Sequence, residues 1–107
     1  MNDRHNNVAK LAYYACFQAA IAALLHAGIE PVGRQWSHEF VHGQFVGQLI
    51  NRRKVYSADL RQTLADTQQL RLKADYRRDH VTRREASHAL EWARALVTAV
   101  RGGGGSR

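Results

Sequence analysis

The sequence predicts an all-α protein, an antiparallel four-helix up-and-down bundle. Three observations predict it. No segment alternates apolar and polar residues with the two-residue period of a half-buried strand. Residues 11–25, LAYYACFQAAIAALL, form an apolar run broken only by Gln18. Residues 86–100 carry an apolar stripe at helical spacing behind a strong start signal.

The first helix is expected from Asn7, a potential N-cap, to Gly28, a residue suited to ending a helix, with Pro31 closing the connection. Its alanine, leucine and aromatic content favours helix, and its lack of a polar face describes a helix surrounded by others. The apolar run is shorter than the about 20 residues that span a bilayer, so no membrane segment is expected. A second helix is expected from Ser37 through Arg53, with Val41, Phe45 and Leu49 at four-residue steps. A third starts near Ser57 and aligns Leu60, Leu64, Thr67, Arg71 and Ala74 on one face. The fourth opens on Thr82-Arg83-Arg84-Glu85, the pattern of a capping box. It carries Ala86, Ala89, Leu90, Ala93, Leu96, Val97 and Val100 along one stripe before Gly102.

At 107 residues the chain suits one domain, residues 1–101, followed by a flexible glycine-rich tail at 102–107. The single cysteine, Cys16, lies inside the first helix and has no partner for an intramolecular disulfide, which points to a reducing, cytoplasmic setting. Sixteen Lys and Arg against nine Asp and Glu give a net charge of +7. Only Lys10 touches the edge of the apolar run. A polyanionic partner, nucleic acid or an acidic protein, follows from that balance.

Three side-chain patterns carry potential chemistry. His38-Glu39-Phe40-Val41-His42 is a literal HExxH, which places two histidines on one helix face for Zn²⁺ and a glutamate to activate water. His80, His88, Glu85 and Glu91 have the donor types for a third ligand, but none stands in a follow-on motif, and polar Gln35 and Gln44 flank the segment. The reading is therefore no metal and no cofactor, with His38, Glu39 and His42 as a subordinate zinc alternative. Arg71 and Asp75, four apart, share a helix face. They would form a structural ion pair, or an arginine held to meet a phosphate bidentately. Arg83 and His88, five apart, diverge by about 140° around the helix and do not share a face. Tyr13, Tyr14 and Phe17 read as core rather than as a base-stacking surface.

Ala12-Tyr13-Tyr14-Ala15-Cys16-Phe17, then His38 or His42, then Arg71 with Asp75-Tyr76, then the alanine-rich helix at 86–100, resemble in order and spacing the HEPN-domain family. The resemblance covers residues 7–101 and lacks the family's usual first helix. It implies a helical bundle that often dimerises around a basic cleft, and metal-independent RNA cleavage in many members. Such members are frequently toxins of toxin–antitoxin or phage-defence systems, and some pair with a nucleotidyltransferase. The resemblance therefore implies RNA as partner, and a homodimer, an antitoxin or a nucleotidyltransferase completing the bundle. In catalytic members an R-x(4–6)-H motif supplies an arginine for phosphorane charge and a histidine for proton transfer. Here Arg71 fills the arginine slot and Asp75 stands where the histidine would. The residues implied for catalysis are then Arg71 at the scissile phosphate, Asp75 to orient it, and His80 or a second-helix histidine as the acid or base. Lys73, Arg77, Arg78, Arg83 and Arg84 would contact nucleic acid. The alternative is a non-catalytic subunit that binds nucleic acid or a protein through its basic surface.

Overall fold

The computed structural model describes residues 3–33, 35–75 and 81–102, and among these every regular element is helical. Four helices form the bundle: α1 at Asp3–His26, α2 at His38–Gln44, α3 at Thr63–Asp75 and α4 at Arg83–Arg101. α2 runs on without a break into a π-helical stretch, Phe45–Arg52, and a single 3-10 turn, Ala58–Leu60, precedes α3. The expected all-α four-helix bundle is what the chain forms.

α1 is the central element and packs most extensively on α4 and α3. It begins at Asp3, before the expected Asn7, and within its first turns the Asn6 Oδ1 accepts the Val81 backbone N–H at 2.9 Å. Its end is a Schellman turn. The N–H of Ile29 reaches the Leu24 carbonyl at 2.8 Å and that of Gly28 reaches Leu25 at 3.0 Å, with Gly28 at φ +81°. A residue with a Cβ is disfavoured there, so the glycine fixes where α1 stops. By length and composition Arg4–His26 is apolar enough to span a membrane. Here it supplies Ala9, Ala12, Tyr13, Cys16, Ala20, Ala23 and Leu24 to the core.

One face of α1 departs from the expectation of a fully surrounded helix. Leu11, Tyr14, Gln18, Ala22 and Leu25 are exposed, Leu11 by 67% and Tyr14 by 62%. The helix lies at the bundle surface because three neighbours cover only part of its circumference.

Ser37 caps α2, its hydroxyl accepting the Phe40 N–H at 3.1 Å. Val41, Phe45 and Leu49 are buried as their spacing predicts. In the π-helical stretch Ile50, five residues after Phe45, is buried as well. Ser57 caps only the 3-10 turn, so the third helix proper starts at Thr63. α4 begins with the predicted capping box. The Thr82 hydroxyl accepts the Glu85 N–H at 3.1 Å, and Glu85 accepts the Thr82 N–H at 3.0 Å. Ala86, Ala89, Ala93 and Leu96 of its stripe are buried, but Leu90 is 41% exposed.

Within the bundle the helices do not simply alternate. α3 runs against α1, with Arg71 level with Tyr13 and Asp75 level with Lys10. α2 starts beside Tyr13, and the π-helical stretch that continues it ends where Arg53 reaches the Ala27 carbonyl, so the two together advance along α1 in the same sense. The connection after Gly28 carries the chain back to the middle of α1. That return brings the HExxH histidines onto the AYYACF segment.

Candidate functional site

Tyr13 is buried, and its hydroxyl lies between two imidazoles, 2.5 Å from His38 Nδ1 and 2.8 Å from His42 Nε2. The Ser37 cap makes His38 the first residue of α2. His42 follows one turn later on the same face. The His38 ring stacks near-parallel to Tyr13, with centroids 5.5 Å apart, and lies 4.9 Å from Phe17.

Burial pushes the Tyr13 phenol up to about 12, against the opposing effect of the Arg71 charge. Burial, then the neighbouring His38, lowers the His42 pKa below the ordinary histidine value. At neutral pH the phenol is therefore protonated and His42 uncharged. With one proton, the hydroxyl donates to one ring and accepts from the other. If it donates to His42 Nε2 and accepts from His38 Nδ1–H, His38 Nε2 is left uncommitted. That nitrogen can then take up and release a proton without breaking either hydrogen bond.

The guanidinium of Arg71 lies over the Tyr13 ring, its Cζ 5.8 Å from the centroid, within cation–π range. Arg71, Lys10 and His38 open into one concavity of about 450 Å³. Leu11, Tyr13, Tyr14, Phe17 and Gln18 complete its wall, and among the described residues no carboxylate lines it. An anionic group entering here meets two cations and an imidazole against aromatic faces.

The other expected site residues fall in different places. Asp75 does not pair with Arg71: its carboxylate meets Lys10 Nζ at 3.4 Å, and among the described residues no ion pair joins it to Arg71. The antiparallel crossing explains this, because one turn of α3 beyond Arg71 stands opposite Lys10. Lys73 is engaged, its Nζ 3.0 Å from both oxygens of Glu85. Glu85 is thereby shared between the α4 cap and α3, and its pKa is lowered, first by the Thr82 backbone N–H. Arg83 and Arg84 are exposed on the first turn of α4. Arg77, Arg78 and His80 lie outside the described residues.

The zinc alternative meets a competing arrangement. His38 Nδ1 and His42 Nε2 face the Tyr13 hydroxyl, which occupies the point between them where a shared ion would sit. Glu39 is exposed, and among the described residues no group of three metal-ligating side chains occurs.

Sequence reasoning missed the partnership of Tyr13 with the two histidines. The signal was present as two histidines four apart and one tyrosine on an apolar helix, but nothing in their spacing says that α2 returns to the middle of α1.

The fold and this pocket define a small helical-bundle domain with a basic, aromatic-floored concavity. The HEPN domain family model matches residues 1–103, and the chain belongs to that family. No curated protein and no solved structure matches it.

Proposed function

We propose that this HEPN domain is a cytoplasmic RNA-binding protein that cleaves RNA without a metal ion, as part of a toxin–antitoxin or phage-defence module. The observation that carries this reading is the convergence of Arg71, Lys10 and His38 on one concavity floored by Tyr13. Family membership supports RNA as the class of target.

In this reading Arg71 contacts the scissile phosphate and stabilises the charge that develops on it, its guanidinium oriented by the Tyr13 ring. His38 Nε2 removes the proton from the ribose 2′-OH, which attacks the adjacent phosphorus. The bond to the 5′-oxygen breaks, and that oxygen takes a proton from an acid, a role that falls to His80 or to solvent. Tyr13 holds the tautomer of His38 and does not itself transfer the proton. Asp75 acts on the site through Lys10, fixing the ammonium at the pocket mouth. Arg83 and Arg84, exposed, extend the basic surface along the RNA.

The test is incubation of the purified protein with RNA in EDTA beside Arg71→Ala and His38→Ala variants. Cleavage by the wild type alone supports the reading. Intact RNA together with salt-dependent binding replaces it with a non-catalytic RNA-binding subunit. Absence of both binding and cleavage overturns it.

A second observation favours a protein partner as well. A groove of about 400 Å³ runs between α1 and α4, with Val8, Leu11, Leu90 and Val97 on its walls and Arg94 and Arg101 at its edge. Apolar side chains so exposed are usual where another chain docks. A second copy of the protein, an antitoxin or a nucleotidyltransferase would cover them.

A further inference from the structure

We infer that the cavity between the C-terminal ends of α1 and α4, lined by Tyr56, is a binding site for the phosphate group of a small phosphate monoester. His26 in that cavity stands about 20 Å along α1 from Tyr13, so the site is separate from the RNA concavity.

Tyr56 follows the π-helical stretch. Lys54, at φ +54°, turns the chain there, and the N–H groups of Val55 and Tyr56 both fall on the Leu49 carbonyl, at 2.7 and 3.2 Å. The Tyr56 ring lies near-parallel to Phe45, with centroids 5.3 Å apart, and the residue is only 8% exposed. A tyrosine hydroxyl so buried usually has a hydrogen-bond partner. Among the described residues this one has none. No fully enclosed side-chain oxygen among them is unpartnered either, so the hydroxyl reaches open space, and the cavity Tyr56 lines is that space. Packing on Phe45 accounts for the ring but not for the hydroxyl.

The cavity holds about 290 Å³, and His26, Arg101, Ala22 and Val100 complete its lining. Among the described residues no carboxylate lines it. Three donors thus face one small space from three elements: the last turn of α1, the segment after the π-helical stretch, and the last turn of α4. Burial pushes the Tyr56 phenol up, so it remains a donor at neutral pH. The His26 imidazole offers an N–H whether neutral or charged. Helix C-termini carry partial negative charge, which opposes an anion. At α1 that charge is already met, because the carbonyls of Leu24, Leu25 and Ala27 accept from Ile29, Gly28 and Arg53. At α4 Arg101 itself brings a full positive charge. A tetrahedral phosphate has an oxygen for each donor, whereas a planar carboxylate has two. Ala22 and Val100 offer apolar contact to the carbon skeleton of the ester, and the volume suits a small molecule rather than a polymer.

The experiment is isothermal titration of the full chain with inorganic phosphate, glycerol 3-phosphate and acetate at constant ionic strength. The expected result is binding of both phosphates and weaker binding of acetate. Tyr56→Phe and the exposed Arg101→Gln should each weaken phosphate by about 10-fold or more, the worth of a hydrogen bond to a charged group. Arg71→Ala should leave that affinity unchanged. Without phosphate, Tyr56→Phe should melt like the wild type, because its hydroxyl has no partner to lose. Affinity unchanged in both Tyr56→Phe and Arg101→Gln overturns the inference, as does phosphate binding lost in Arg71→Ala alone, which would place the ion in the RNA concavity. Absence of phosphate binding, or acetate binding as tight, overturns it as well.

Discussion

The Tyr13 hydroxyl lies 2.5 Å from His38 Nδ1, and the two rings are inclined by only 19°. One α1 side chain thus fixes the first residue of α2. Tyr13→Phe keeps the packing volume but leaves His42 Nε2 half-buried with no partner. The expected cost is about 1–2 kcal/mol of stability in urea denaturation. An unchanged midpoint would mean the hydroxyl contributes nothing in solution.

His42 also makes stability depend on pH. Its folded-state pKa is lowered by burial and by His38, so the unfolded chain binds the proton more readily. Above about pH 6.5 His42 is neutral in both states and contributes no slope. As pH falls below that value, the unfolded state gains a proton first and stability declines, levelling off below the folded pKa. Urea midpoints taken between about pH 6.5 and 5 should fall for the wild type and fall less for His42→Gln.

Lys73 and Arg71 sit two residues apart and should respond oppositely to substitution. Lys73 is bound to Glu85, which also caps α4, so Lys73→Ala and Glu85→Ala should lower the melting temperature. Loss of the cap contribution from Glu85 is expected to cost about 1 kcal/mol. Because the Glu85 pKa is lowered, that contribution is present above the ordinary carboxylate range and is lost as pH falls through the folded value. Arg71→Ala should instead leave folding nearly intact, weaken RNA binding and reduce the salt dependence by about one counterion.

Cys16 should be inert in the native protein. It is fully buried, and burial pushes its thiol up to about 11, against a hydrogen bond with Thr67. Reaction with iodoacetamide at neutral pH is expected only under unfolding conditions. Rapid labelling of the folded protein would show that α1 detaches from α3 far more often than its packing implies.

The α1–α4 groove predicts association. Leu90 is 41% exposed and reaches the groove from α4, so Leu90→Glu should leave the helical content unchanged. Light scattering should show a larger species for the wild type than for this variant if a second copy fills the groove. Equal masses would assign the groove to a different protein.

Much of this molecule is local and was legible in its sequence. The α4 start needs only Thr82 and Glu85 three residues apart, and the α1 end needs only Gly28 followed by an apolar residue. The burial of Val41, Phe45 and Leu49 follows from their spacing alone, and family membership follows from the order of short motifs. Other features were not legible because they depend on what lies across the bundle. Arg71 and Asp75 share a helix face, yet the antiparallel crossing set Lys10 opposite the carboxylate. HExxH has the spacing of a metal site, but the return of the chain after Gly28 put the Tyr13 hydroxyl between its histidines. AYYACF reads as uniformly buried, but three neighbours cannot enclose a helix, so Tyr13 faces inward while Tyr14 faces the cleft. Sequence spacing sets which residues share a face, and only tertiary packing decides what that face meets.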